Sequence, residues 1–261
     1  MEIDRGYRLT EAGFSYGRHH AGLQAVSLHL PPGRFYGLLG PNGSGKTTLL
    51  DLLAGHLAPS SGSVELNDRE IGGYSPSDRA RLLTSVPQSF SLNFDYSVYD
   101  VVLMGRHPHI PRFARPGGAD RDAVEHALAA MEISRFRDRS VRQLSGGEKQ
   151  RVMIARALAQ DTDYLLLDEV TANLDINHAL AIMKLLARLV RQGRTAIAAM
   201  HDLNIALAFC DQVIVLKDGA LWGDGATEDI VTPALVAELY EIEAESYRTA
   251  AQTNQISFIY R

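Results

Sequence analysis

The nine residues Gly40-Pro41-Asn42-Gly43-Ser44-Gly45-Lys46-Thr47-Thr48 constrain this chain more than any other stretch. They fit the pattern G-x-x-x-x-G-K-[ST], a turn that works only between a buried strand and the start of a helix. Both flanks are present. Phe35–Leu39 is a short apolar run that reads as a buried strand, and Leu49, Leu50, Leu52, Leu53 and Leu57 recur at helical spacing. Glycines at 43 and 45 let the backbone curl until successive N–H groups converge on one point, an arrangement that holds phosphate oxygens. The positive end of the following helix favours the same anion. Lys46 is then expected to reach the β and γ phosphates of a nucleotide, and the Thr47 hydroxyl to ligate Mg²⁺.

A second constraint is Tyr164-Leu-Leu-Leu-Asp168-Glu169, a buried strand ending in two acids. At the carboxyl end of a parallel strand such acids face the crevice where open α/β sheets bind ligands. Asp168 is placed to hold Mg²⁺, since hard cations take oxygen ligands. Glu169, one residue on, points differently and is the candidate to orient or deprotonate an attacking water. Alone, such a strand could simply run out into solvent; beside a phosphate loop it reads as a site.

Between and after these motifs, apolar runs and amphipathic stretches alternate. Strands are expected at Gln24–Leu30, Val64–Leu66, Leu83–Val86, Tyr164–Leu167, Thr195–Met200 and Gln212–Leu216, with helices at Asp78–Leu82, His178–Arg191 and Leu203–Phe209. That rhythm argues for a mostly parallel sheet covered by helices. From about 89 to 160 strand signals vanish. Helices are expected at Val98–Met104 and Arg121–Met131, with a Pro/Gly-rich loop at His107–Gly118 between them and a third helix beginning near Ser145. This block reads as a helical insertion. The tail from Gly225 to Arg261 gives a short helix at Thr232–Tyr240; Ile256–Tyr260 is open between an added strand, a dimer contact and a frayed end.

Composition narrows the partners. With 46% hydrophobic residues the chain can bury a sizeable core, and a net charge of −5 gives no global basic footprint for nucleic acid. The single cysteine, Cys210, excludes an internal disulfide and fits a reducing compartment. The acidic start at Glu2 and Asp4 is unlike a secretory signal, and no run approaches the ~20 apolar residues that span a bilayer.

Leu144-Ser145-Gly146-Gly147-Glu148 has a local explanation, because serine followed three residues later by glutamate is the spacing of a helix capping box. Two consecutive glycines ask for more, since they weaken a helix and permit close backbone approach to a ligand. With these glycines the capped terminus makes a second phosphate-binding surface. Taken in order, the phosphate loop, Gln88 after a strand, the LSGGE stretch, the acidic strand end and His201 after a further strand resemble the ATP-binding-cassette (ABC) ATPases over residues 7–240.

That resemblance implies an α/β fold: a phosphate-loop ATPase core with a mostly parallel sheet, an N-terminal antiparallel β part and an inserted helical subdomain, in one domain over residues 1–261. It implies that Tyr16 stacks on the adenine of ATP, that Gln88 touches Mg²⁺ and the water, and that His201 holds the γ-phosphate. Asp175 belongs to the following Ala-Asn-Leu-Asp loop. On the residues alone Tyr16 could be a strand aromatic, Gln88 a polar strand end and His201 a core histidine. One departure is Val170, where the family usually has proline, which leaves the turn behind Glu169 slightly freer.

The resemblance further implies a head-to-tail dimer with a second copy, Ser145, Gly146 and Gly147 of each capping the ATP held by the partner's Lys46. Tyr99-Asp-Val-Val-Leu-Met-Gly-Arg-His-Pro-His109 is similar to a stretch in ATPases serving iron–siderophore, haem and cobalamin uptake. Such subunits sit on the cytoplasmic face of the inner membrane beneath two permease subunits, with a substrate-binding protein outside. A soluble ABC ATPase such as the iron–sulfur assembly type is the rival; a phosphate-loop kinase would lack LSGGE. Aromatics at Phe90, Phe94, Tyr96 and Tyr99 read either as local core or as a groove for a permease helix. His107 and His109 suggest no third metal ligand.

Overall fold

Strands buried on both faces give the molecule its plan. The computed structural model describes residues 6–17, 21–88, 95–171, 174–249 and 253–259. In chain order, β1 (Tyr7–Ser15) and β2 (Ala21–Leu30) lead to β3 (Phe35–Leu39), which runs through the phosphate loop into α1 (Lys46–Leu53). β4 (Ser61–Leu66) and β5 (Arg69–Glu70) follow, then α2 (Pro76–Leu82) and β6 (Leu83–Val86). The next segment is helical: α3 (Val98–Leu103), a 3-10 stretch Met104–His109, α4 (Gly118–Ala130) and α5 (Gly146–Gln160). The alternation resumes with β7 (Tyr164–Asp168), α6 (Ile176–Arg191), β8 (Thr195–Ala199), α7 (Leu203–Phe209) and β9 (Gln212–Lys217). β10 (Ala220–Ala226), α8 (Thr227–Ile230), α9 (Pro233–Tyr240), β11 (Ala244–Arg248) and β12 (Asn254–Phe258) complete the chain.

The central sheet has order β10-β9-β3-β8-β7-β6, parallel from β9 to β6, with β10 antiparallel at one edge. Alternate residues of its strands enter two different cores. Phe35, Leu167, Ala198 and Val215 face one cluster, shared with α3, α4, α5 and α6. Tyr36, Leu38, Leu166 and Ile214 face the other, closed by α1 and the antiparallel sheet β2-β1-β4-β5. Each such side chain contributes roughly 1.5–3 kcal/mol of burial, so the strand ends that carry the acids stand on rigid supports. The fold is the α/β phosphate-loop architecture expected, with the antiparallel part and the helical block where they were anticipated.

Two of the expected elements change, and one left open is decided. The helix after Lys46 stops at Leu53 instead of reaching Leu57, because Gly55 takes φ +66° and the N–H groups of Gly55 and His56 return to the carbonyls of Leu52 and Asp51. The loop expected from His107 begins later, after the 3-10 stretch. Gly105 explains that compactness: a Cβ there would meet the Arg156 carbonyl oxygen at 2.2 Å, so only glycine lets this segment lie against α5. Arg106 and His109 finish the joint by bonding Asp120, Ala159 O and Gln160 O. The Gly-Arg-His-Pro-His stretch is thus a packing device, and the described residues hold no His/Cys/Asp/Glu cluster fit for a metal. The open one is the C-terminal tail, where the added strand is what forms: β11 and β12 make a hairpin whose Ile256 is clamped through its N–H and carbonyl by the Asn204 amide on α7.

Candidate functional site

β3 ends at the loop 40–45, and the loop's shape follows from its glycines. Gly40, Gly43 and Gly45 have φ of +145°, +79° and +102°. A Cβ at Gly40 would lie 2.2 Å from Leu216 O, and one at Gly45 2.6 Å from Gly22 O, so the loop is wedged between neighbouring backbones. Pro41 O accepts from Ser44 N at 3.2 Å, closing the turn, while Asn42 and Gly43 lie exposed at its tip. Among the described residues the buried Ser44 hydroxyl has no hydrogen-bond partner, an orphaned polar group at the base of the cradle. Gly45 caps α1 in a left-handed conformation and supplies no side-chain acceptor, so the first turn of α1 keeps N–H groups for an incoming anion.

Lys46 is buried and its ammonium donates to the carbonyls of Gly40 and Pro41 at 2.8 and 3.0 Å. Burial lowers its pKa, against the pull of Glu169 and Asp168. Thr47 donates its hydroxyl to Asp168 Oδ2 at 2.9 Å. Burial raises the Asp168 pKa, and that hydrogen bond only partly offsets it. Two oxygen donors, one of them a carboxylate whose charge is disfavoured by burial, stand side by side. That donor set suits a hard divalent cation.

Glu169 gathers the rest. Its Oε2 accepts from Gln88 Nε2 at 2.6 Å, and His201 hydrogen-bonds through Nε2 to its Oε1. The Glu169 backbone is left-handed at φ +49°, a conformation costing about 1–3 kcal/mol in a non-glycine residue. Val170 leaves that conformation open, whereas a proline there would favour extended backbone at 169. The turn is not loose: Glu169 N donates to Ala199 O at 3.2 Å and Val170 is buried in the core.

Tyr16, just beyond β1, is 56% exposed, with its ring edge-on to Phe14 and its hydroxyl 3.1 Å from Thr48 Oγ1. Together Tyr16, Asn42, Lys46, Gln88, Glu169 and His201 border a cleft of about 720 Å³. Gly22 also lines it, which sequence reasoning missed; a Cβ there would press the Tyr16 ring at 2.7 Å. The only sequence signal was a glycine inside a strand.

Ser145, Gly146 and Gly147 do not line this cleft. They open α5, where Ser145 and Glu148 form the anticipated capping box: Ser145 N donates to Glu148 Oε2 at 2.8 Å and Glu148 N to Ser145 Oγ at 3.3 Å. Asp175 caps α6 by accepting from His178 N. Of the aromatic stretch, Phe90 and Phe94 lie outside the described residues. Tyr96 and Tyr99 are half-buried and pack against the larger core, with the Arg137 guanidinium 4.1 Å from the Tyr99 ring centre, so local packing accounts for much of these two.

Residues 23–172 match the family model described as ABC transporter. The Cobalamin import ATP-binding protein BtuD of Halobacterium salinarum is 39% identical over 222 residues, 84% of this chain but 55% of that protein, so the chain spans about half its length. The Hemin import ATP-binding protein HmuV of Thermobifida fusca is 40% identical, covering 88% of this chain and 80% of that protein. The Ferric enterobactin transport ATP-binding protein FepC of Escherichia coli K12 is 38% identical, covering 90% and 86%. Among solved structures, a metal-chelate type ABC transporter in an inward-facing conformation superposes with TM-score 0.84 at 30% identity, covering 98% of both chains. A dimeric bacterial ABC transporter cassette gives 0.78 at 30%, over 85% of this chain and 99% of that one.

Proposed function

The chain belongs to the ABC transporter family, and from that premise we propose that it is the ATP-hydrolysing subunit of an importer for a metal chelate of the siderophore, haem or cobalamin class. The observation that carries this reading is the convergence of Thr47–Asp168 and Gln88–Glu169–His201 on a glycine-built cleft.

The loop N–H groups and the first turn of α1 cradle the β and γ phosphates of ATP, with the Ser44 hydroxyl at the base. Lys46 leaves the carbonyls of Gly40 and Pro41 for the phosphates, which supply the counter-charge its burial denies it. The Thr47 hydroxyl and the Asp168 carboxylate, with Gln88 beside them, would hold Mg²⁺. When bound, the cation neutralises charge on the phosphates and orients them. Tyr16 offers its exposed ring to adenine. Glu169 exchanges its bonds with Gln88 and His201 for one to water, takes the water's proton, and frees His201 Nε2–H to donate to the γ-phosphate oxygen.

Ser145, Gly146 and Gly147 act on the nucleotide held by a second copy, which is why they stand outside the cleft of their own chain. No helix among the described residues is long and apolar enough to cross a membrane. Passage therefore falls to permease subunits, beneath which this chain sits peripherally on the cytoplasmic face. A substrate-binding protein delivers cargo from the other side.

The test is twofold. The purified chain should hydrolyse ATP in a Mg²⁺-dependent way and sediment with membranes that contain its permease. Hydrolysis without any membrane association would leave a soluble ABC ATPase and sink the importer reading.

A further inference from the structure

Among the described residues the most exposed large apolar side chain is Phe113, 93% open to solvent. Exposure of one such residue means little by itself. The backbone beneath it is what stands out. Ala114 N donates to Pro111 O at 2.9 Å, closing a β-turn in which Phe113 takes the third position at φ +70°. That position ordinarily falls to glycine or asparagine, and a bulky residue is strained there. The fold therefore bears a conformational cost to hold an aromatic ring out in water.

The turn stands on a rigid mount. Both of its feet are tied to one carboxylate on α4: Asp120 Oδ1 accepts from Arg106 Nε at 3.1 Å, and Oδ2 from Gly117 N at 2.9 Å. On the near side, Arg106 also donates to Ala159 O, His109 bonds Gln160 O, and Arg81 of α2 donates to Pro108 O at 2.8 Å. Pro111 and Pro116 stiffen the chain at either end of the exposed part. A strained tip on a fixed base is a presented feature.

Its charge is one-sided. Residues 110–119 contain two arginines and no acid, and both arginines, Arg112 and Arg115, are exposed. The Arg112 guanidinium stands 5.1 Å from the centre of the Phe113 ring. An aromatic ring beside cations suits the boundary between lipid headgroups and acyl chains, where rings settle and long basic side chains reach back to phosphates.

We propose that the turn Pro111–Ala114, with Arg115, is a contact for an anionic bilayer surface, Phe113 entering the headgroup layer while Arg112 and Arg115 bind lipid phosphates. This rests on the importer reading above, which puts the chain at the negatively charged cytoplasmic leaflet. Charge complementarity selects the anionic lipid, and the ring selects a bilayer over a free anion, for which a ring in open solvent offers no enclosure. One ring and two arginines hold a bilayer weakly and reversibly. The contact thus adds to the hold of the permease and sets how α4 and α5, and with them Ser145–Gly147, face the membrane.

The experiment uses the full purified chain and permease-free vesicles, either of mixed phosphatidylglycerol and phosphatidylcholine or of phosphatidylcholine alone. Trp222 is the only tryptophan, so Phe113→Trp in a Trp222→Phe background reports on the turn. Its emission should shift to the blue and be quenched by brominated acyl chains on the anionic vesicles only, and less so as salt rises. Partitioning of the wild-type chain should fall about tenfold with Phe113→Gly and roughly fivefold for each of Arg112→Gln and Arg115→Gln. Phe113→Gly should keep or raise the Tm, since it relieves the turn, and ATP hydrolysis in solution should stay at the wild-type level for all three. Equal partitioning of wild type and variants, an indole that is not quenched, or equal binding to neutral vesicles overturns the proposal and leaves the importer reading standing. A lower Tm for Phe113→Gly at unchanged partitioning would assign the ring to packing and overturn it too. In the chain expressed with its permease, a photo-crosslinking residue at 113 should attach to lipid; attachment to a permease peptide instead overturns the bilayer contact while supporting the importer.

Discussion

Two of the glycine-bearing helix N-termini in this molecule, those of α1 and α5, are finished in opposite ways. α1 begins after Gly45, which has no side chain to satisfy the first N–H groups. α5 begins after Ser145, whose hydroxyl and backbone N–H are both engaged with Glu148. The first terminus is open, and every partner it needs is in its own chain: Lys46, Thr47, Asp168, Glu169, Gln88 and His201 lie around it. The second is capped by its own carboxylate and has no catalytic group beside it. On the proposed reading, one is a receptor that holds an anion and the other a surface that meets an anion already held elsewhere. We read this asymmetry as one half of a site and the complement of another, and it is the physical argument for proposing a head-to-tail pair.

The largest effect expected is at the open terminus. Lys46→Ala removes the cation facing the phosphates, and ATP hydrolysis should fall by about 100-fold or more, to background, while circular dichroism shows the fold retained. A variant keeping half the wild-type rate would erase the distinction between the two termini.

A smaller effect tests the capped one. Glu148→Gln preserves the capping box but removes a negative charge from the start of α5, where it opposes an incoming phosphate. Nucleotide-dependent self-association should tighten by roughly two- to fivefold, read by sedimentation equilibrium. No change would mean that this end of α5 never confronts phosphate.

The smallest concerns stability. Burial raises the Asp168 pKa, so its charged form burdens the nucleotide-free fold above that pKa and the burden fades as pH falls through it. Asp168→Asn mimics the protonated acid and still accepts from Thr47. Its Tm at neutral pH should exceed wild type by about 2 °C, and the gap should close on acidification. A gap that widens as pH falls would reverse the assigned cause.

Much of this was legible in the sequence because it is local. Phe35–Leu39, Leu83–Val86 and Leu203–Phe209 have the bounds their patterns give, and the Ser145–Glu148 box is set by spacing alone. What escaped is non-local or irregular. β1 gives no clean alternation because its pairing shifts between Leu9 and Ala12 and again at Phe14, with Glu11 at φ +46°. β10 is a glycine-bearing edge strand with an irregularity between Leu221 and Gly223. Gly105 was recognised as part of a stretch, yet its reason is the Arg156 carbonyl some fifty residues on, which no local pattern shows.

On the proposed reading two chains close on two nucleotides, each supplying what the other lacks. Glu169→Gln keeps the shape and hydrogen bonding of the position but removes the proposed base, so ATP should bind and chemistry should stall with the pair closed. The direct measurement is sedimentation velocity of Glu169→Gln with ATP and Mg²⁺, beside the same variant carrying Ser145→Arg. The expected result is a dimer that forms only with nucleotide and that the arginine abolishes by occupying the phosphate position. A monomer in both samples, or a dimer indifferent to the arginine, would contradict it.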